Sequence, residues 1–287
     1  TSSTTPMVEA LRDAAINDLG NIQPHVTKKQ EAIAILNQLA TDKKQDINQN
    51  INATTEEKEA AINEVDTQLA DALNHIDQAD TNAQVDEAQQ NGTAAINNIQ
   101  EQIVKKPDAR NEINQHYNDK LSQINQTPDA TTDEKAAAIQ LLDEQKKQAL
   151  EAINQAQTNN DVDQAKEQAI QNIDAVQVDV VVKPDARHSL ESAKNAQQQV
   201  INATPDATVE EINTALQKLN QIFNQANNAI NQAQTNQQVT DATQQSIEMI
   251  HNTLPETTVK TNARNNIENQ SNKQTQLIQN LSLIHIS

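Results

Sequence analysis

The same residues return along this 287-residue chain at a fixed offset of 77, without an insertion to break the register. Pro128-Asp129 reappears as Pro205-Asp206, and Lys106-Pro107-Asp108-Ala109-Arg110 reappears as Lys183-Pro184-Asp185-Ala186-Arg187. Thr54, Thr131 and Thr208 open one kind of segment, whereas Arg110, Arg187 and Arg264 mark another. Such a chain folds as an array of small units that bury their apolar faces within and between neighbours. The register predicts a partial unit over residues 1–53 with its second and third helices, since Thr4 and Val8 match Thr81 and Val85. It then predicts units at 54–130, 131–207 and 208–280, the last incomplete, so that both ends cut through the array.

Each unit reads as three helices. Thr54 with Glu57, Thr131 with Glu134 and Thr208 with Glu211 form Thr-x-x-Glu, in which the Thr oxygen accepts from the third helical N–H and the Glu reaches back. Apolar residues follow at Ile62, Val65, Leu69, Ala72 and Ile76, and again at Leu216, Leu219, Phe223, Ala226 and Ile230. This 3-4-3-4 spacing makes one narrow stripe on a helix. In the middle unit Lys146 interrupts the stripe between Leu142 and Ala149, as a boundary residue whose stem packs while its amine reaches water.

Thr81, Thr158 and Thr235 stand as caps of a second helix, whose apolar face runs through Val85, Ala88, Ile96 and Ile99, with counterparts from Val162 to Val176 and from Val239 to Ile250. Gly92 within that face weakens the helix by about 1 kcal/mol relative to Ala. A β-branched connector, Val176 to Val182, precedes a third helix with Pro107 or Pro184 in its first turn, where a missing N–H costs little. That helix is expected to bury Ile113, Tyr117 and Ile124, or Leu190 and Ile201.

The fold class is therefore all-α, as tandem three-helix-bundle repeats of 77 residues. Three helices carry the chain in at one end of a bundle and out at the other, so an elongated monomeric rod is expected. A helix of about 25 residues is nearly 40 Å long, which puts three-plus units at roughly 130 Å.

Composition narrows the functions. A net charge of −19 and a pI near 4.6 oppose nucleic-acid binding, which depends on Lys and Arg displacing counterions. Aromatic residues make up 1%, limited to Tyr117 and Phe223, so stacking platforms for bases or sugars are missing. The chain has no Cys, hence no disulfide, thiolate nucleophile or Cys-based metal site. It contains no apolar run long enough to span a membrane.

Candidate chemical groups read as structural. The six histidines, His25, His75, His116, His188, His251 and His285, neither recur at the repeat offset nor pair at i, i+4, so no metal is assigned. The acidic pairs Glu56-Glu57 and Asp133-Glu134 lie in first helical turns, where negative charge complements the helix dipole. Lys28-Lys29 and Lys105-Lys106, repeated basic pairs before the third helix, offer docking points for an anionic partner, but the favoured reading is a solvated connector. Arg110, Arg187 and Arg264 are the candidates for a contact with another helix or a neighbouring unit. A phosphate loop, nucleophile elbow or catalytic pair is absent from the sequence. No catalytic residue and no cofactor are expected.

The final heptapeptide, residues 281–287, departs from the register, with Ser282 standing where Pro205 predicts Pro. It resembles translated read-through of a common sequencing adapter and is set aside as a non-native tail.

Asn-Ala-Thr-Thr-Glu-Glu-Lys at 52–58, Ala-Ile-Asn-Gln-Ala at 152–156, Val-Asp-Gln-Ala-Lys at 162–166 and Lys-Pro-Asp-Ala-Arg at 183–187 carry a resemblance. They are similar to the domain-of-unknown-function repeats of staphylococcal surface proteins of the FmtB/Mrp, SasC and Ebh kind, over residues 1–280. Thr261-Asn262 departs from the Pro-Asp of the other copies. The resemblance implies a segment of a long, wall-anchored extracellular protein associated with adhesion, aggregation and biofilm or with envelope integrity. The implied role is a structural stalk; the alternative is a repeated module that binds a host matrix protein such as fibronectin, or a neighbouring cell surface.

Overall fold

The computed structural model describes residues 5–20 and 27–285, and among them every regular element is a helix. In chain order these are α1 (Thr5–Gly20), α2 (Thr27–Gln49), α3 (Thr55–Gln78), α4 (Asn82–Asn98), α5 (Lys105–Asn125), α6 (Thr132–Gln155), α7 (Asn159–Ala175), α8 (Val182–Asn202), α9 (Val209–Gln232), α10 (Asn236–His251) and α11 (Thr258–His285). Thr4 and His25 lie outside the described residues, as do positions 286 and 287 of the seven-residue tail; Leu281 to His285 continue α11.

The chain forms two compact units. One comprises 1–114 with 148–169, the other 115–147 with 170–287, so α5, α6 and α7 contribute residues to both. In the first unit, α2, α3 and α4 each pack on the other two. Their core is Leu36, Ile47, Val65, Ile76, Val85 and Ile96 with a row of buried alanines, and Leu69 closes its edge. In the second, α8, α9 and α10 pack likewise around Leu190, Ile201, Leu219, Ile230, Val239 and Ile250. Burying each such side chain contributes about 1.5–3 kcal/mol.

The packed triplets begin one helix earlier than frames opening at Thr54, Thr131 and Thr208. The helix that a frame of 54–130 places last, α5, follows the complete α2–α4 triplet, and α2 comes from residues the same reading assigned to 1–53. A repeating sequence fixes the period and leaves the origin free; the origin is set by which stripes face each other. α1 has the register of α4, and α11 that of α2, α5 and α8. The described apolar side chains of α1 and α11, including Val8 and Ile267, are exposed.

Alanine and glycine set the spacing inside the triplet. A Cβ added at Gly92 would lie 2.5 Å from the Ala72 Cβ and 3.3 Å from a Leu36 methyl. Gly92 therefore permits an approach of α4 to α3 that no larger residue allows, which offsets its poor helix propensity. The repeat equivalents are Ala169 and Ser246, both buried. Tyr117, expected in the core, is only half-buried, because its hydroxyl donates to Asp143 Oδ1 at 2.6 Å in solvent reach.

Candidate functional site

The recurring structural feature is the junction at which one helical triplet meets the first helix of the next. At the start of α3, the Glu57 N–H donates to Thr54 Oγ1 at 3.3 Å, and the Thr54 N–H donates to Glu57 Oε2 at 2.9 Å. The other carboxylate oxygen, Oε1, accepts from the N–H groups of Val104 and Lys105, both at 2.9 Å. One side chain thus caps α3 and also the helix that opens 48 residues later.

The arrangement repeats. Glu134 Oε2 accepts from the Thr131 N–H at 2.7 Å, while its Oε1 accepts from Val181 and Val182 at 2.9 Å. Glu211 does the same for Thr208 at 2.8 Å and for Thr258 and Val259 at 2.9 and 3.2 Å. Burial pushes the Glu57 and Glu134 carboxyls up, but the converging backbone N–H groups outweigh it and hold both below the ordinary value. Glu211, led by its bond from the Thr208 N–H, falls to about 2.

The preceding acidic residue extends the joint. Glu56 Oε2 accepts from the Asn159 N–H at 2.9 Å, and Asp133 Oδ2 from the Asn236 N–H at 2.7 Å, so each reaches the first turn of a helix about 100 residues away. Around these bonds, Thr54 Oγ1 donates to Asn159 Oδ1 at 2.8 Å and the Thr55 N–H donates to the Gln157 carbonyl at 2.8 Å. The matching bonds are Thr131 to Asn236 at 2.5 Å and Thr132 to Gln234 at 2.7 Å. Thr54 and Thr131 are both fully buried.

The basic pairs belong to the same joint, which corrects their reading as solvated connectors. Lys106 is 2% exposed, and its Nζ donates to the carbonyls of Ile51 at 2.8 Å and Asn154 at 3.1 Å. Lys183 donates to the Asn231 carbonyl, Lys260 to that of Ala207 and Lys29 to that of Asp77. Burial, with Arg110 and Lys58 nearby, lowers the Lys106 amine from its ordinary value despite the Glu57 charge. The first lysine of each pair binds an aspartate instead, Lys28 to Asp86 and Lys105 to Asp163, both at 2.7 Å.

The arginines lie at the rim. Arg110 donates to Asn154 Oδ1 at 2.6 Å. Arg187 donates to both oxygens of Asp129, at 2.9 and 2.8 Å, and to Asn231 Oδ1 at 2.6 Å. Arg264 grips Asp206 with the same fork. Asp129 and Asp206 occupy left-handed backbone, with φ of 63° and 66°. The first copy has Asn52 at that position, so Arg110 has no carboxylate there.

Second-helix caps use a partner that the sequence reading did not assign. Thr81 pairs with Gln84 and Thr235 with Gln238 in reciprocal boxes, and Thr158 with Asp161. An acceptor three residues after each Thr was the available signal.

A groove of about 800 Å³ runs beside the first joint, between Ala60, Glu64, Ile99 and Gln102, and a smaller one of about 410 Å³ occupies the equivalent place beside Leu141, Gln177 and Val181. Of the carboxylates on their walls, Glu56, Glu57, Asp133 and Glu134 are already bonded to helix N-termini, and Glu64 accepts from Gln68 Nε2 at 2.8 Å. Among the described residues, three or more His, Asp, Glu or Cys nowhere converge as a metal-holding group. His75 bonds its own helix at the Asp71 carbonyl, and His116 meets Asp174 at 3.2 Å. None of the described helices is long and apolar enough to cross a membrane.

Comparison with known proteins agrees with the period and the phase of these joints. The model of a Domain of Unknown Function, DUF1542, matches residues 28–104, 105–181 and 182–258, each copy beginning at or next to the first helix of a triplet and ending with the connector after its third. The chain is 27% identical over 250 residues to the extracellular matrix-binding protein EbhA of Staphylococcus aureus strain Newman, covering 87% of this chain and 7% of that protein. It is equally similar to the extracellular matrix-binding protein ebh of strain NCTC 8325 / PS 47, of which it covers 3%. The chain thus spans a small fraction of the length of these curated relatives. No solved structure matches. Three matched copies fill most of the sequence, and the chain belongs to the DUF1542 family, as a tandem array of its helical repeats.

Proposed function

We propose that this chain is a structural segment of a long extracellular protein anchored to a Gram-positive cell wall, a helical stalk that holds a distal adhesive domain away from the cell. The observation that carries the reading is the shared cap: Glu57, Glu134 and Glu211 each satisfy the N-termini of two helices at once, so connectors that would otherwise hinge are tied by backbone hydrogen bonds. A spacer needs such joints, and it needs no pocket chemistry. In this reading the segment is a monomer, catalyses nothing and takes no cofactor. Small-angle scattering on the whole chain tests it. A maximum dimension that grows in proportion to the number of repeats is expected, and a compact particle would refute the stalk.

The names of the relatives, extracellular matrix-binding proteins, favour a second reading. Here the repeats themselves bind a host matrix protein or a neighbouring cell surface, each copy weakly and the array by avidity. Immobilised fibronectin titrated with one, two and three repeats distinguishes the two: affinity that climbs with repeat number supports binding, and absence of binding at every length leaves the stalk.

A further inference from the structure

Tyr117 on α5 and Lys146 on α6 face each other, with the lysine Nζ 4.1 Å from the ring centroid. One repeat later the same two positions are Lys194 on α8 and Phe223 on α9, and Nζ again sits over the ring, at 4.4 Å. The cation and the ring have exchanged helices. One repeat earlier the positions are Ala40 and Leu69, a small and a large apolar residue at the α2–α4 core. The capping threonines, joint lysines and core aliphatics keep their chemistry from copy to copy, whereas this seam position changes it every time.

We infer that the seam is a pairing code, by which the first helix of each triplet accepts its own second helix and disfavours those of other copies or of a second chain. Placing α8 against α6 would face Lys194 with Lys146, two like charges in a half-buried seam. Placing α5 against α9 would set Tyr117 against Phe223, two rings in space shaped for one ring and one lysine stem. α5 or α8 against α3 would leave a ring without its cation, or a cation without its ring, over Leu69. A neighbouring position reinforces the code: Asp143 accepts from Tyr117, its counterpart Asp66 binds Lys44, and the third copy has the uncharged Asn220. Tandem copies that share caps and period are prone to exchange equivalent helices while folding, and a code at the first-to-second helix contact opposes that exchange.

The full chain carrying Tyr117→Lys, Lys146→Phe, or both tests the inference. The double variant copies the α8–α9 pair into the middle repeat, so it keeps a cation over a ring but duplicates the code. Each single variant should lower the urea-unfolding midpoint, and the double should regain most of the loss, a coupling of roughly fivefold in the folding equilibrium. Refolded from urea at high protein concentration, the double variant should give severalfold more helix-containing dimer on size exclusion than the unaltered chain. Additive single effects would overturn the inference. So would a recovered midpoint with no rise in dimer.

Discussion

Arg187 holds Asp129 through two parallel hydrogen bonds of 2.9 and 2.8 Å across 58 residues of sequence. Asp129 is presented to it by a left-handed turn, φ 63°, which Asp tolerates better than most residues. The contact pulls the Asp129 carboxyl below its ordinary value and raises the guanidinium, in the direction a real pair demands. Both groups are part-exposed, with side-chain exposures of 30% and 49%, so solvent screens most of the attraction. Arg187→Ala should lower stability by about 0.5–1 kcal/mol. Arg110→Ala, which has no carboxylate partner at Asn52, should cost less. Thermal melts of the two variants check the order, and an unchanged melt for Arg187→Ala would remove the pair from any account of the joint.

Gly92→Ala sets two effects against each other. Helix propensity favours alanine by about 1 kcal/mol, but the new Cβ would stand 2.5 Å from the Ala72 Cβ, a backbone-borne atom that cannot swing away. Overpacking of this kind costs about 1–3 kcal/mol, so net destabilisation is expected. Ala72→Gly in the same chain should recover part of it, and the four-variant cycle measured by urea unfolding would show the coupling.

How much of this could be read beforehand differs from residue to residue. Thr-x-x-Glu discloses the Thr54 and Glu57 box because both partners lie within one turn, but the second oxygen of Glu57 serves N–H groups 47 and 48 residues away, and no local pattern points there. Lys106 reads as solvated because charge usually is; its burial depends on the Ile51 and Asn154 carbonyls, which only the fold brings together. Ser246 is a buried core position that a stripe drawn from apolar residues passes over. The period was legible in every copy, and its phase was not, since stripes alone do not say which neighbour each helix will face.

Lys106→Met keeps the stem's volume and removes the donor. The carbonyls of Ile51 and Asn154 lose their protein partner in a part-buried site, a loss of about 1–3 kcal/mol. Lys58→Met, whose Nζ donates to the Asn48 carbonyl in an exposed position, is the control and should cost well under that. Equal melting temperatures for the two would argue that the buried amine contributes nothing to the joint.

Glu57→Ala should loosen two helices together. The N–H of Thr54 before α3 and those of Val104 and Lys105 at α5 lose one common acceptor, and each lost cap costs about 1 kcal/mol. Amide exchange should accelerate at all three positions. Acceleration at Thr54 alone would mean that the second cap does not hold the connector in solution.

The same carboxylates set the response to acid. Glu57, Glu134 and Glu211 are held below the ordinary value of 4.5, Glu211 at about 2. For an acid whose folded value is depressed, the stabilisation is present above the unfolded value and disappears as pH falls through the folded one. Stability from these three groups should therefore be level from pH 7 to about 5, then decline steadily toward pH 2. Replacing all three with Gln keeps one acceptor oxygen per side chain and removes the titration. The urea midpoint of that variant should start lower at pH 7 and fall less steeply between pH 4.5 and 2 than that of the unaltered chain. Parallel curves over that interval would show that other carboxylates govern acid unfolding.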